Sequence, residues 1–372
     1  MIELQQVVAD LTALLRIDSP TYRERAAAEW MAAKLSEFGV RAEDDGQGAA
    51  VGGDSGNLIA PLPGTVEAPP LLLNAHLDNV PPCEGVQPVP DAYVIRTDGR
   101  TVLGADDKAG CIAILSALRE IVTCDLPHPP LEVIFTVAEE VGLEGAKALD
   151  FRKLRSKRAF VAESGTLGTI TIAAPSAERW EAVVHGKAAH AGVCPERGIN
   201  AIRIAAEAIA ALRIGRLDDE TTANVGLIQG GQARNIVPPE CTVVGEARSH
   251  HPRKLSDHLK HVRSCFAAAA AKNGGTVDLT VKPSYHAFRI QPDEWPLRVA
   301  EQAARDTGLE PQPRPTGGGS DANVFNDNGI RCVVLCMGAH EVHTPNEFVD
   351  TRDVLQGAQW LVRAVELAAT AR

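Results

Sequence analysis

The chain has no excess of basic residues, and this argues against a general nucleic-acid-binding protein. Its 372 residues include 37 Lys and Arg against 48 Asp and Glu, which gives a formal net charge of −11. A general nucleic-acid binder needs a basic face that neutralises phosphates. The acidic balance therefore argues against nucleic-acid binding.

Long apolar segments are also missing from the sequence. No stretch approaches the roughly 18 consecutive apolar residues of a membrane-spanning helix. The first residues, 1–6, lack the basic region, apolar run and cleavage site of a secretory signal peptide. We therefore expect a cytoplasmic protein that does not associate with membranes.

Cysteines are few and widely spaced for a chain of this length. The eight cysteines show no dense framework of paired spacings, and a long chain can bury a sufficient core without disulfide bonds. Reduced thiols are the expected state. The remaining composition, 45 % apolar and 23 % charged, is that of an ordinary globular protein.

Short apolar runs alternate with helical patterns in the two outer parts of the chain. Such an alternation indicates an α/β sheet covered by helices on both faces. The predicted strands are 57–60, 71–75, 131–137, 159–162 and 331–337. The predicted helices are 4–15, 26–38, 108–122, 296–307 and 352–369.

The pattern changes near residue 176, where strands become more frequent than helices. Four predicted strands, 180–185, 221–229, 241–248 and 277–282, lie among two helices, 200–212 and 254–271. This combination is typical of a compact α+β unit. We predict one α/β domain, residues 1–175 and 286–372, interrupted by an inserted α+β domain, residues 176–285, that acts as a lid and carries a dimer contact.

Polar residues suited to metal binding follow the predicted strands. One strand runs into His76 and Asp78, which project to the same side because strand residues i and i+2 share a face. Alone, this pair is more typical of a strand end that turns into solvent than of a metal site. Asp106 and Asp107 precede an apolar helix, where an Asp can also serve as an N-cap.

Three further segments repeat this arrangement. Glu139 and Glu140 follow another strand, and because adjacent residues point apart, one can bind a metal while the other faces a substrate or a water. Glu163 ends the next strand, and His343 follows the last one. Open α/β sheets bind ligands at the carboxyl ends of their strands, so we expect these residues to converge.

The order and local sequence of these segments resemble the M20 family of co-catalytic zinc peptidases and deacylases, most closely its peptidase T-like branch. The likeness covers essentially the whole chain, including 317–323 and the inserted segment. It implies a zinc-peptidase-like catalytic domain built on a mixed sheet. The segments that carry it are His76-Leu77-Asp78, Gly104-Ala105-Asp106-Asp107-Lys108, Glu139-Glu140 and His343-Thr344-Pro345-Asn346-Glu347.

The resemblance implies a dinuclear metal centre. His76 would bind one ion and His343 the other, with Asp106 bridging them and a cis peptide bond after it. Glu140 and Glu163 would complete the ligand set, one to each ion. Zn²⁺ is the implied metal, although mixed histidine and carboxylate sites also accept Co²⁺ or Mn²⁺.

The same resemblance assigns the remaining roles. Glu139 would be the general base that activates a metal-bridging water, and Asp78 would orient His76. In the inserted domain, His190 would stabilise the tetrahedral oxyanion. Asn235 and Arg248 would contact the substrate, for which an Arg fork suits a carboxylate. A turn residue for Asn235 and a surface ion pair for Arg248 are the alternatives.

The sequence thus predicts a dinuclear zinc hydrolase that cleaves small peptides, foremost a tripeptide aminopeptidase, and that forms a homodimer through the inserted domain. Glu163 stands where the peptidase T-like branch usually has Asp. A carboxypeptidase or N-acyl-amino-acid deacylase of the same family is therefore the first alternative. A non-catalytic metal-dependent binding protein is the second, but such a protein would not need Glu139 beside Glu140.

Overall fold

The computed structural model describes residues 2–370, which form two compact units. The first unit contains the described residues up to Ala173, Arg289–Thr316 and the residues from Ser320 onward. The second contains Ala174–Phe288 and Gly317–Gly319.

The chain alternates between helices and strands over most of its length. The helices are α1 (Leu4–Leu15), α2 (Arg25–Ser36), α3 (Gly48–Val51), α4 (Ala105–Thr123), α5 (Glu144–Ala148), α6 (Ala201–Ala211), α7 (Pro252–Asn273), α8 (Trp295–Asp306), α9 (Asp321–Asp327) and α10 (Thr351–Thr370). The strands are β1 (Glu43–Asp44), β2 (Leu58–Leu62), β3 (Leu71–His76), β4 (Val89–Asp91), β5 (Val94–Arg96), β6 (Leu131–Thr136), β7 (Arg158–Glu163), β8 (Thr169–Ala174), β9 (Ser176–His185), β10 (Gly215–Asp218), β11 (Thr221–Gly230), β12 (Glu240–Ser249), β13 (Thr276–Tyr285), β14 (Phe288–Arg289), β15 (Gln312–Pro315), β16 (Arg331–Cys336), β17 (Ala339–His340) and β18 (Phe348–Asp350). Within residues 2–370, none of the helices is at once long enough and apolar enough to cross a membrane.

A mixed sheet of nine strands forms the centre of the first unit, in the order β1-β2-β6-β3-β7-β16-β8-β14, and β15 pairs with β8. The central strands β6, β3, β7 and β16 are parallel, whereas β2 and β8 join this group through antiparallel pairs. Because the central strands are parallel, their carboxyl ends meet at one edge. This arrangement confirms the predicted mixed α/β fold class.

Helix α4 is the most deeply buried helix of this unit. It lies against β3 and β7 and also packs against α1 and α10. Every residue from Ala105 to Leu118 is buried, as expected for a helix that is apolar on all sides beyond its first turn. Every residue of β3 is buried as well. The site residues at the ends of these elements therefore stand on rigid supports.

The regular helical backbone of α4 begins at Lys108, as predicted, after an irregular first turn. Asp106 and Asp107 open it with non-helical backbone angles, φ −82° and ψ 103° for the first and φ −119° and ψ 35° for the second. A cis peptide bond joins the two residues, as the resemblance implies. Strand β8 was not predicted from the sequence, because only Pro175 separates it from β9.

The second unit is an antiparallel sheet in the order β10-β11-β12-β9-β13. Burial alternates along β12, which shows that one face of the sheet is covered. Helices α6 and α7 pack on β9 and β12. In the core between them, the rings of Trp180 and Phe266 lie 5.7 Å apart. This unit therefore has a hydrophobic core of its own.

Candidate active site

His76 and Glu163 end two neighbouring parallel strands, β3 and β7. The Nε2 atom of His76 lies 3.5 Å from Oε1 of Glu163 and 3.4 Å from Oδ1 of Asp106, which follows the next loop. His76 is buried, and Asp106 is 8 % exposed. These three side chains form one half of a polar cluster.

The other half of the cluster contains His343 and Glu140. The Nε2 atom of His343 lies 2.9 Å from Oε1 of Glu140 and 3.3 Å from Oδ2 of Asp106. The two oxygens of Asp106 thus face different histidines. The structure brings all five predicted metal ligands together, with Asp106 shared between the halves.

The donor set fits two divalent cations. The Oδ1 atom of Asp106 is buried without a hydrogen-bond partner, so a cation would satisfy it. Two imidazoles and three carboxylates are ligands that zinc and similar ions accept. His76, Asp106 and Glu140 also place ligand atoms within 4.8 Å of one another.

Asp107 is the competing candidate, because it offers ligand atoms near His76 and Glu163. Its oxygens, however, accept backbone N–H groups from Gly110 at 3.1 Å and from His76 at 3.4 Å. Asp106 lacks such donors at Oδ1. Asp106 is therefore the better ligand for this half of the cluster.

Crowded carboxylates determine the electrostatics of the cluster. Burial, followed by the charge of Asp106, raises the pKa of Glu163 to about 8. Hydrogen bonds to Asp106 and Glu140 raise the pKa of His343 to about 10. Burial opposes ionisation of Asp106, but the neighbouring imidazoles of His343 and His76 hold its pKa well below the usual range. Positive charge is therefore strongly favoured between these side chains.

Glu139 lies beside the predicted ligand Glu140 but belongs to neither half of the cluster. It is 8 % exposed. Burial, together with the nearby Glu163, Asp321 and Glu140 carboxyls, raises its pKa well above the usual range. A carboxylate with a raised pKa is a stronger proton acceptor, which suits a general base.

Asp78 contacts both His76 and the turn that carries Glu139. The Nδ1 atom of His76 lies 3.1 Å from the Asp78 carbonyl oxygen and 3.4 Å from its Oδ1. A hydrogen bond at Nδ1 leaves Nε2 as the metal-binding nitrogen. The Asp78 carboxylate also accepts the backbone N–H groups of Glu139 at 2.9 Å and Glu140 at 3.2 Å. This second contact was not foreseen from the sequence.

The three predicted substrate residues belong to the inserted unit. Exposed His190 and Asn235 lie on adjoining loops, since Ala191 donates its N–H to the Asn235 carbonyl at 3.0 Å. Arg248 on β12 forms a two-pronged ion pair with Glu246, at 3.0 and 3.3 Å. A substrate carboxylate would have to compete with Glu246 for this guanidinium.

Sequence reasoning missed the side chains that hold the site loops. Glu347, Asn79 and Glu24 are buried and bind backbone groups next to the predicted site residues. Glu347 lies in the same sequence motif as His343, and this is the only feature of the sequence that could have pointed to its role in the site. Nothing in the local sequence around Glu24 points to the site.

Paired histidine and carboxylate clusters with a separate glutamate, at the carboxyl ends of a parallel sheet, define a metal-dependent hydrolase. The chain belongs to peptidase family M20/M25/M40, whose model matches residues 72–367. It is an enzyme that hydrolyses peptide bonds. The resemblance to the peptidase T-like branch is confirmed by the relatives described next.

Two solved structures are similar over the full length. Aminopeptidase PepT from Bacillus cereus is 37 % identical, with a TM-score of 0.88, over 99 % of this chain and 100 % of that one. A tripeptidase from Staphylococcus aureus is 35 % identical, with a TM-score of 0.93, over 100 % of both chains. Peptidase T from Shigella boydii is 27 % identical over 85 % of this chain and 86 % of its own.

Proposed function

We propose that this enzyme is a dinuclear zinc aminopeptidase that releases the amino-terminal residue of small peptides, tripeptides foremost. The main observation behind this proposal is that the two halves of the cluster share Asp106. Its Oδ1 lies 3.4 Å from His76 Nε2, and its Oδ2 lies 3.3 Å from His343 Nε2. The similar aminopeptidase and tripeptidase structures support the choice of substrate.

Each half of the cluster would hold one ion. His76 and Glu163 would bind the first, His343 and Glu140 the second, and Asp106 both. When bound, two divalent cations polarise the scissile carbonyl and make a water more acidic. Zn²⁺ is proposed because the ligands are imidazole and carboxylate, while Co²⁺ and Mn²⁺ suit the same donors.

Glu139 would move the protons of the reaction. Its carboxylate accepts a proton from the attacking water and delivers it to the leaving amine nitrogen, which completes hydrolysis. Such general acid–base transfer contributes roughly 10²–10⁴ in rate. Asp78 supports this role by binding the N–H of Glu139, which fixes the base relative to His76.

The inserted unit would supply the substrate contacts. His190 would donate to the developing oxyanion, and Asn235 and Arg248 would bind the peptide backbone or its carboxylate. We further propose a homodimer through this unit, a lid function for it and a cytoplasmic location. The location is supported by the eight cysteines, all of which are free.

A peptide panel tests the proposal. The metal-loaded enzyme is incubated with a free tripeptide, its N-acetylated and C-amidated forms, a dipeptide and an N-acyl amino acid, and the products are identified by mass spectrometry. We expect release of the first residue from the free and amidated tripeptides and no cleavage of the acetylated one. Release of the last residue, or hydrolysis of the N-acyl amino acid, would instead favour the carboxypeptidase or deacylase alternative raised by Glu163.

Two variants test whether the activity measured with this panel depends on the proposed roles of Glu139 and Glu140. Glu139→Gln should retain two equivalents of metal and lose most of kcat, by about 10²–10⁴-fold. Glu140→Gln should lose metal, because it removes a ligand charge. Turnover by Glu139→Gln within a few-fold of wild type would refute the assignment of the base.

A further inference from the structure

Glu347 is a buried carboxylate that binds three backbone N–H groups of the segment leading to Asp106. Its Oε2 accepts from Leu103 at 2.7 Å and Gly104 at 2.9 Å, and its Oε1 accepts from Asp106 at 3.0 Å. Glu347 is 1 % exposed. One side chain therefore holds the backbone of the residue shared by both metal-site halves.

Asn79 binds two backbone carbonyl groups of the same segment. Its Nδ2 donates to the Asp106 carbonyl at 2.6 Å and to the Gly104 carbonyl at 3.3 Å. A Cβ atom at Gly104 would lie 2.7 Å from Oδ1 of Asn79, and the φ of this glycine is +77°. The segment thus fits closely between Asn79 and Glu347.

Glu347 and His343 belong to one compact turn. The Glu347 N–H donates to the Thr344 carbonyl at 3.2 Å, and the Asn346 N–H donates to Thr344 Oγ1 at 3.1 Å. Thr344 Oγ1 in turn donates to the Glu341 carbonyl at 2.6 Å. Because the turn is internally bonded, the position of Glu347 relative to Asp106 also sets the position of His343.

We infer that Glu347 is a positioning residue that couples the two halves of the metal site. By binding the Asp106 segment from the His343 turn, it holds Asp106 Oδ2 at 3.3 Å from His343 Nε2. In the half that contains His76 and Glu163, these two ligands stand on β3 and β7 and do not depend on this turn, so that half shares only Asp106 with it. This inference rests on the proposed dinuclear function.

The inference predicts a selective defect in Glu347→Gln. The amide keeps the size of the side chain, but its NH₂ group must face a backbone donor whichever way it is turned. We expect one metal equivalent to bind as in wild type and the second to bind about 10–100-fold more weakly, as for other residues that orient metal ligands. Calorimetric titration of the metal-free enzyme with Co²⁺ measures both affinities.

Glu341→Gln is the matched control, because it removes the same charge from an exposed position in the same turn. It should titrate like wild type. Glu347→Asp keeps the charge but is one methylene shorter, so it should show a smaller version of the same selective loss. It replaces the Gln variant if that protein does not fold.

The Co²⁺ ions also report on the shared carboxylate. Wild type loaded with two equivalents should show magnetic coupling between the ions by electron paramagnetic resonance, and Glu347→Gln at the same occupancy should show weaker coupling. Unchanged affinities and coupling, or equal weakening of both equivalents, would overturn the role of Glu347. Failure of wild type itself to bind two equivalents would instead refute the dinuclear function.

Discussion

The turn that carries Glu139, the proposed general base, is held in place by side chains that bind its backbone N–H groups. The N–H groups of residues 137–140 each donate to a side-chain oxygen at 2.9–3.2 Å. The acceptors, in this order, are Asn57, Glu24 and, for the last two, Asp78. Glu139 and its neighbour Glu140 therefore lie on a preorganised backbone, as the proposed roles of general base and metal ligand require.

Among these acceptors, Glu24 is unusual because only one of its two buried carboxyl oxygens is hydrogen-bonded. Its Oε1 accepts from Tyr22 at 2.9 Å and Ala138 at 3.0 Å, whereas its Oε2 is buried without a hydrogen-bond partner. Burial, followed by the charge of Asp78, raises the pKa of Glu24 to about 7. At neutral pH this carboxyl therefore carries an appreciable fraction of the uncharged form.

This raised pKa predicts a pH-dependent contribution to stability. Because the folded-state pKa lies above the unfolded value, the stabilisation is complete below about pH 4.5 and is lost as the pH rises through 7. Glu24→Gln resembles the uncharged acid at every pH. We expect its free energy of unfolding, relative to wild type, to increase by about 2–3 kcal/mol between pH 5 and pH 8.

Urea denaturation of the metal-free proteins at pH 5, 6.5 and 8 measures this difference. Glu29→Gln, at an exposed position of α2, is the matched control. A stability difference for Glu24→Gln that stays constant over this pH range would contradict the prediction.

At the scale of elements, the cluster of candidate metal ligands was predictable because each of them follows a strand or opens a helix. His76 and Glu163 end strands that hydrophobic runs reveal, and parallel pairing then brings them together. The residues that hold the ligand loops were not predictable, because their partners are distant in sequence. Glu347 binds Gly104 across 243 positions and Glu24 binds Ala138 across 114, and no local pattern reports such contacts.

Strand β11 is an exposed edge in the inserted unit. Within the described residues, β10 pairs with β11 only at 221–223, which leaves 224–230 bonded to β12 on one side. Leu227 and Ile228, in this free half, are 66 % and 53 % exposed. An unpaired edge with apolar side chains is a common site of strand pairing between chains.

We expect the homodimer to form along this edge of β11. The double variant Leu227→Lys/Ile228→Lys should be monomeric by analytical ultracentrifugation, because it buries two charges in the interface. Ile214→Lys, at a half-exposed position in the same unit, is the control and should remain dimeric. A wild-type monomer, or a double variant that stays dimeric, would rule out this interface.

At the scale of the whole molecule, the two units divide the predicted roles. The five candidate ligands belong to the first unit, and the three candidate substrate residues belong to the inserted unit. Each unit has its own hydrophobic core. Metal binding should therefore stabilise the first unit and leave the inserted unit unchanged.

Scanning calorimetry with and without a chelator tests this division. A ligand present at about a thousand times its Kd stabilises the state that binds it by about 4 kcal/mol. For a unit of this size that corresponds to a shift in Tm on the order of 10 °C. We expect chelation to lower one unfolding transition by this amount and to leave the other in place.

Phe266→Ala identifies the transition that belongs to the inserted unit. Phe266 is fully buried against Trp180, and removing such a side chain costs about 3–5 kcal/mol. The variant should lower the Tm of the metal-independent transition and bind two equivalents of metal with wild-type affinity. If chelation shifted both transitions equally, or if Phe266→Ala weakened metal binding, the two units would unfold as one and the division of roles would not extend to stability.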